Sequence, residues 1–252
     1  MVMDREVAMG FSGLGAGLRV VVTGGGRGFG RALAVSLGRE GAEVFVSARR
    51  FAAAEETAQA VRRVGGRAHA FECDLADPVS VREFAEALGE AADAVDVLVN
   101  NGAPYLDAGG FLEATDEQVT EVIAAGAAGT VLVTKAVLPL LLRSARPDIV
   151  TMVSGCGEYG NHRSDAHEAF YAAKSAQAGF AEVLSKRLRP SGVRVISLYP
   201  PDFEDADPLG PGWDEARGTG EALGARSVVD CVRFAIGQPR DCFIKSFYFE
   251  QA

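Results

Sequence analysis

The sequence predicts an α/β protein: a doubly wound, seven-stranded, mostly parallel sheet with helices on both faces. Three observations carry this. Apolar runs of strand length alternate with longer helical patterns along the whole chain. The strands are apolar throughout rather than at every second residue, as expected of a parallel sheet covered on both sides. A glycine cluster follows the first strand directly and opens a helix.

In chain order, "LRVVVTG" (18–24) reads as a buried strand and "GRALAVSLGREG" (30–41) as a helix ending at Gly41. "EVFVSARR" (43–50) is the second strand. "AAAEETAQAVRRVGG" (52–66) is a helix closed by two glycines, and "AHAFECDL" (68–75) the third strand. In "DPVSVREFAEAL" (77–88), Asp77 caps a helix that has Pro78 in its first turn. "VDVLVNNGA" (95–103) is the fourth strand, and a long helical region runs from about 115 to 143. "DIVTMVSG" (148–155) is the fifth strand, "EAFYAAKSAQAGFAEVLSKRL" (168–188) a long helix, and "VRVISLYP" (193–200) the sixth strand. A short helix, "SVVDCVRFAI" (227–236), and a last strand, "CFIKSFYFE" (242–250), complete the pattern.

Residues 1–17 read as a flexible tail and 18–252 as one domain. The stretch 200–226, rich in Pro, Gly and acids, breaks the pattern after a strand's C-terminal end, where such folds bind ligands, and reads as a substrate loop. Phe203 and Trp213 make it an apolar lid. A formal charge of −9 excludes nucleic acid or an anionic membrane as the main partner. No run of 18 apolar residues spans a membrane. The cysteines at 73, 156, 231 and 242 have no metal-type spacing, so no metal is expected, and they fit a reduced, cytoplasmic setting.

Within "VVVTGGGRGFG" (20–30), Gly24 permits a tight turn, Gly28 lets backbone approach a pyrophosphate, and Gly30 lets the helix pack close to the sheet. The helix N-terminus offers free N–H groups to phosphate.

These residues resemble the short-chain dehydrogenase/reductase family, whose TGxxxGxG motif stands here as Thr23, Gly24, Gly28 and Gly30, with Gly26, Arg27 and Phe29 among them. The resemblance covers about residues 18 to 200 and implies a Rossmann fold. At the end of the second strand, Ala48 stands where an acid would bind the ribose of NAD, followed by Arg49 and Arg50. Guanidinium groups there, with Arg27, suit the 2′-phosphate of NADP(H). Asp74 and Leu75 match the family's adenine-contacting pair. "NNGA" (100–103), with Asn101 and Gly102, matches its NNAG with the last two residues exchanged. The family's Pro-Gly after the sixth strand stands here as Pro200-Pro201, and Pro200 and Phe203 are expected to contact the cofactor. The family's downstream Thr falls on about Asp205.

The resemblance also implies a catalytic set of Asn, Ser, Tyr and Lys. Ser154, in "VSGCG", matches the Ser, and Lys174 the Lys that binds ribose and lowers the Tyr pKa. Four residues before Lys174, the Tyr position is Phe170. Tyr171 lies one residue on, about 100° around the helix. The Asn position is Gly126. The chain 158–168 carries Tyr159, His162, His167 and Glu168 as alternative acids.

Three functions remain open on these residues. The chain is an NADP(H)-dependent oxidoreductase with a moved or unneeded acid, acting on a carbonyl, imine or conjugated C=C in specialised biosynthesis. Otherwise it is a non-redox enzyme of the same fold, or a catalytically silent cofactor-binding subunit. The resemblance further implies a homodimer or homotetramer through helices 115–143 and 168–188.

Overall fold

The computed structural model describes residues 16–102, 104–106, 109–204, 207–215, 218 and 220–250. Most of the expected tail, and Ala103 and Asp205, lie outside these.

β1 (Arg19–Val22) leads through the glycine loop to α1 (Gly28–Arg39), and β2 (Glu43–Ala48) to α2 (Phe51–Arg63). β3 (Arg67–Glu72) precedes α3 (Pro78–Ala91), where Asp77 caps as expected, accepting from Val79 N at 2.8 Å. β4 (Val97–Asn100) ends beside the cleft described below. The predicted long helix is continuous but composite: α4 (Asp116–Ile123), a π-helical stretch Ala124–Gly129, and α5 (Thr130–Leu141). β5 (Asp148–Met152) runs into a 3-10 turn, Gly155–Gly157. α6 (Glu168–Leu188) has the predicted bounds, and β6 (Arg194–Tyr199) follows it.

The stretch 200–226 carries more structure than its composition announced. It forms β7 (Phe203–Glu204), a 3-10 turn Pro211–Asp214 and β8 (Leu223–Gly224), and β7 pairs with β8. Trp213 is no lid. It is buried in the core, in one cluster with Val228 and Val232. α7 (Ala225–Gly237) and β9 (Ser246–Tyr248) complete the chain, the last strand being shorter than expected.

Seven strands form one sheet in the order β3-β2-β1-β4-β5-β6-β9. Every pairing among the described residues of this sheet is parallel, not merely most. The two-residue period of a strand divides its apolar side chains between two cores. Val20, Val22, Val44, Val46, Val97 and Val99 join α1, α2 and α7. Val21, Phe45, Leu98 and Ile149 join α3, α5 and α6. The stretch Asp116–Leu141 is long and apolar enough to cross a membrane by length and composition, but Val133, Val137 and Leu141 are fully buried against the sheet.

Strand order reverses between β1 and β4, so the chain leaves these neighbours toward opposite faces. A crevice opens at their C-terminal ends.

Candidate active site

A cleft of about 760 Å³ occupies this switch point, bordered by the ends of β1, β2, β4, β5 and β6. One end is made by backbone. Gly24 takes a φ of +61°, and a Cβ there would lie 2.7 Å from Gly102 Cα. A Cβ on Gly30 would lie 2.5 Å from Asn101 Nδ2 and 2.6 Å from Gly24 O. The glycines therefore let β1, α1 and the loop after β4 close on one another.

Thr23 fastens this junction from beneath rather than lining the cleft. Its fully buried hydroxyl donates to Val99 O (3.2 Å) and accepts from Asn101 N (3.1 Å) and Gly102 N (3.2 Å). Asn101 Nδ2 donates to Thr23 O and Gly24 O.

All the other sequence-predicted nucleotide contacts line the cleft: Gly24, Gly26, Arg27, Gly28, Phe29 and Gly30 from the loop and first turn of α1; Arg49 and Arg50 after β2; Asp74 and Leu75 after β3; Asn101 and Gly102 after β4; Lys174; and Pro200 and Phe203. Arg49 reaches across to pair with Glu121 of α4. The Phe29 and Phe203 rings meet edge-on, centroids 5.4 Å apart. Cys73 also lines this end, but burial pushes its thiol up to about 12, so it stays protonated and inert.

The other end is made by side chains. Ser154 and Lys174 both line it. Ser154 is the one non-glycine residue with positive φ among the described residues, at +72°, and its Oγ accepts from Cys156 N at 3.3 Å. Lys174 is buried in the middle of α6. Its Nζ donates to Met152 O (2.7 Å) and to Gln177 Oε1 (3.1 Å) and lies 5.3 Å from the Phe170 ring centroid. Burial draws the Lys174 pKa down to about 8, since the ammonium has given up water. Phe170 also lines the cleft, and Tyr105 packs edge-on against it with centroids 5.1 Å apart. Gly126 is buried in the π-helical stretch.

Tyr171 is not brought to the cleft. Its hydroxyl donates to Ser164 O (2.9 Å) and accepts from Ser164 N (3.1 Å), so it pins the 158–168 segment instead. The one-residue offset from Phe170 has the effect that helix geometry demands. The alternative acids fare no better. His167 is the N-cap of α6, its Nδ1 accepting from Ala169 N at 3.0 Å. Tyr159 is fully exposed, and neither it nor His162 or Glu168 lines the cleft.

Sequence reasoning missed Tyr105, Glu121 and Asp202, which line the cleft as well. The only signal for them was position, since Tyr105 and Asp202 follow β4 and β6 in a fold that binds at strand C-termini.

Residues 19–207 match the family described as short chain dehydrogenase. An uncharacterized oxidoreductase of Bacillus subtilis is 30% identical over 185 residues, covering 73% of this chain and 66% of the relative. A probable oxidoreductase of Mycobacterium tuberculosis is 32% identical over 181 residues, but the match spans only 30% of its length. This chain thus spans less than two thirds of these relatives. A metagenomic short-chain oxidoreductase crystallised with NADP superposes with a TM-score of 0.78 at 26% identity, covering 93% of this chain and 97% of that one.

Proposed function

The chain belongs to the short-chain dehydrogenase family, and from that premise we propose that it is an NADP(H)-dependent oxidoreductase whose substrate needs no proton from a tyrosine. One observation carries this reading: Ser154 and Lys174 open onto the same cavity as the glycine cradle, while Phe170 stands where the acid is expected.

The cleft fits the nucleotide. Its floor is backbone drawn together by Gly24 and Gly30, and the first turn of α1 above it offers N–H groups to a pyrophosphate. Arg27, Arg49 and Arg50 offer forked donors to a 2′-phosphate, with Arg49 exchanging its Glu121 partner for it. Lys174 gives charge and an N–H to the nicotinamide ribose. Bound there, NADP(H) supplies or accepts a hydride.

The chain's own residues set what can receive it. The Ser154 hydroxyl orients a polar atom of the substrate. Phe170 and Tyr105 wall the reacting centre with aromatic surface, Phe170 buried and Tyr105 half-exposed. Phe170 carries no transferable proton. A protonated imine needs none, because hydride addition to it yields a neutral amine. A conjugated C=C takes its proton later, from solvent at the open mouth. A plain ketone must gain a proton as its oxyanion forms, and loss of general acid catalysis there is worth ~10²–10⁴-fold.

The test is calorimetric titration of NADP(H), followed by assays on ketone, cyclic imine and enone panels with wild type and Phe170→Tyr. The expected result is NADP(H) binding, turnover of imines or enones by the wild type, and a gain of ketone reduction in Phe170→Tyr. Failure to bind NADP(H) would overturn the reading and leave a non-redox or partner role.

The half-exposed Val131 and Leu142 in and just after α5, and Val183 on α6, support self-association through these helices. Light scattering reads it directly as a dimer or tetramer mass.

A further inference from the structure

Gln177 lies one turn beyond Lys174 on α6 and is 1% exposed. A buried amide is costly to leave unpaired, and this one is fully engaged. Its Oε1 accepts from Lys174 Nζ at 3.1 Å. Its Nε2 donates to Gly126 O at 2.8 Å and to Thr130 Oγ1 at 2.9 Å. Thr130 Oγ1 itself donates to Gly126 O at 2.7 Å. The glutamine therefore bridges the lysine of α6 to the π-helical stretch and the start of α5, with no gap between them.

An ammonium has three N–H groups. Met152 O and Gln177 Oε1 take two. The third is left for the cavity that Lys174 lines. An amide accepts and donates hydrogen bonds but does not pass a proton on, because its imidic-acid form is far higher in energy.

We infer that Gln177 is a positioning residue: it fixes the Lys174 ammonium with one N–H turned to the nucleotide cleft and closes its rear to proton exchange through the π-helical stretch and α5. This rests on the proposed nucleotide site and deepens it. Lys174 becomes a standing positive anchor rather than a proton conduit, which suits a substrate that brings its own proton.

The groups that face Lys174 are few. Cys156, on the 3-10 turn, acts to raise its pKa against the larger effect of burial. Tyr105, Glu121 and Asp202 line the same cavity, Glu121 being held by Arg49. β5 contributes only the Met152 carbonyl.

The chain has only four lysines, at 135, 174, 186 and 245. Lysine Cε/Nζ isotope labelling of the full chain therefore resolves the Lys174 titration by NMR, with Lys174→Met identifying its signal. Gln177→Glu places a carboxylate on the ammonium and is expected to raise the midpoint by about one pH unit, a ten-fold change in proton affinity. Gln177→Met removes the acceptor and is expected to lower it. Thr130→Val, which removes one of the two acceptors at the far end of the amide, should give a smaller downward shift, and it stands in should Gln177→Glu fail to fold. A glutamine that merely packs helices would lower the melting temperature in these variants and leave the midpoint unmoved. That result, or a shift of the same sign in Gln177→Glu and Gln177→Met, overturns the inference. NADP⁺ is titrated in parallel. If opposite shifts are found but wild type binds no NADP⁺, the lysine control stands and the nucleotide reading falls.

Discussion

At the glycine end of the cleft the shape is set by backbone atoms; at the Ser154 end it is set by side chains. Between Gly24, Gly30 and Gly102, main-chain and amide atoms approach so closely that a single methyl group would collide with them. Around Lys174, the geometry comes instead from a lysine, a glutamine, a threonine and two aromatic rings. The contrast teaches where such a molecule can change. A surface made of backbone admits few substitutions, because altering it means moving strands. A surface made of side chains can be re-equipped one residue at a time with the fold intact.

The comparison breaks most visibly at Gly30. Gly30→Ala is expected to destabilise the fold by about 3 kcal/mol, since its Cβ meets Gly24 O and the Asn101 amide, neither free to withdraw. Thermal denaturation should show this, along with loss of nucleotide binding. A tolerated alanine would mean that the glycine end is as adaptable as the other. A smaller effect is expected at Arg49, an exposed side chain after β2 that pairs with Glu121. Arg49→Ala should weaken NADP(H) binding about ten-fold, or about 1.4 kcal/mol, and leave NAD(H) binding unchanged. Equal weakening of both would assign Arg49 to general phosphate attraction. The smallest effect is expected at Tyr171. Tyr171→Phe removes its two bonds to Ser164 and its hydroxyl contact with Cys156, so stability should fall by about 1 kcal/mol and turnover should not change. A large loss of turnover would return Tyr171 to the chemistry.

The sequence made the strand and helix order legible because apolar runs and their punctuation are local. Asp77 before Pro78, and the apolar pattern of 168–188, mark helix ends that the structure reproduces. The π-helical stretch left no trace, because "AAGAAG" holds no contrast of polar and apolar side chains to read. Trp213 misled for a related reason: an aromatic in an acidic, glycine-rich loop looks exposed until α7 is packed beneath it. Cleft residues inside motifs were legible by spacing. Tyr105 was not, since it meets Phe170 only after β4 and α6 are brought together. The displacement of Tyr171 followed from counting residues on a helix, but its partner, Ser164, required the folded loop.

Ser154 sits at φ +72° and ψ 155°, a region of backbone space open in practice to glycine alone, and such placement costs about 1–3 kcal/mol. Glycine at this position would rest without strain. What glycine would lack is the hydroxyl, which accepts from Cys156 N at 3.3 Å on a residue that lines the cleft. The strained backbone thus carries an oxygen to a place where glycine would offer only a hydrogen.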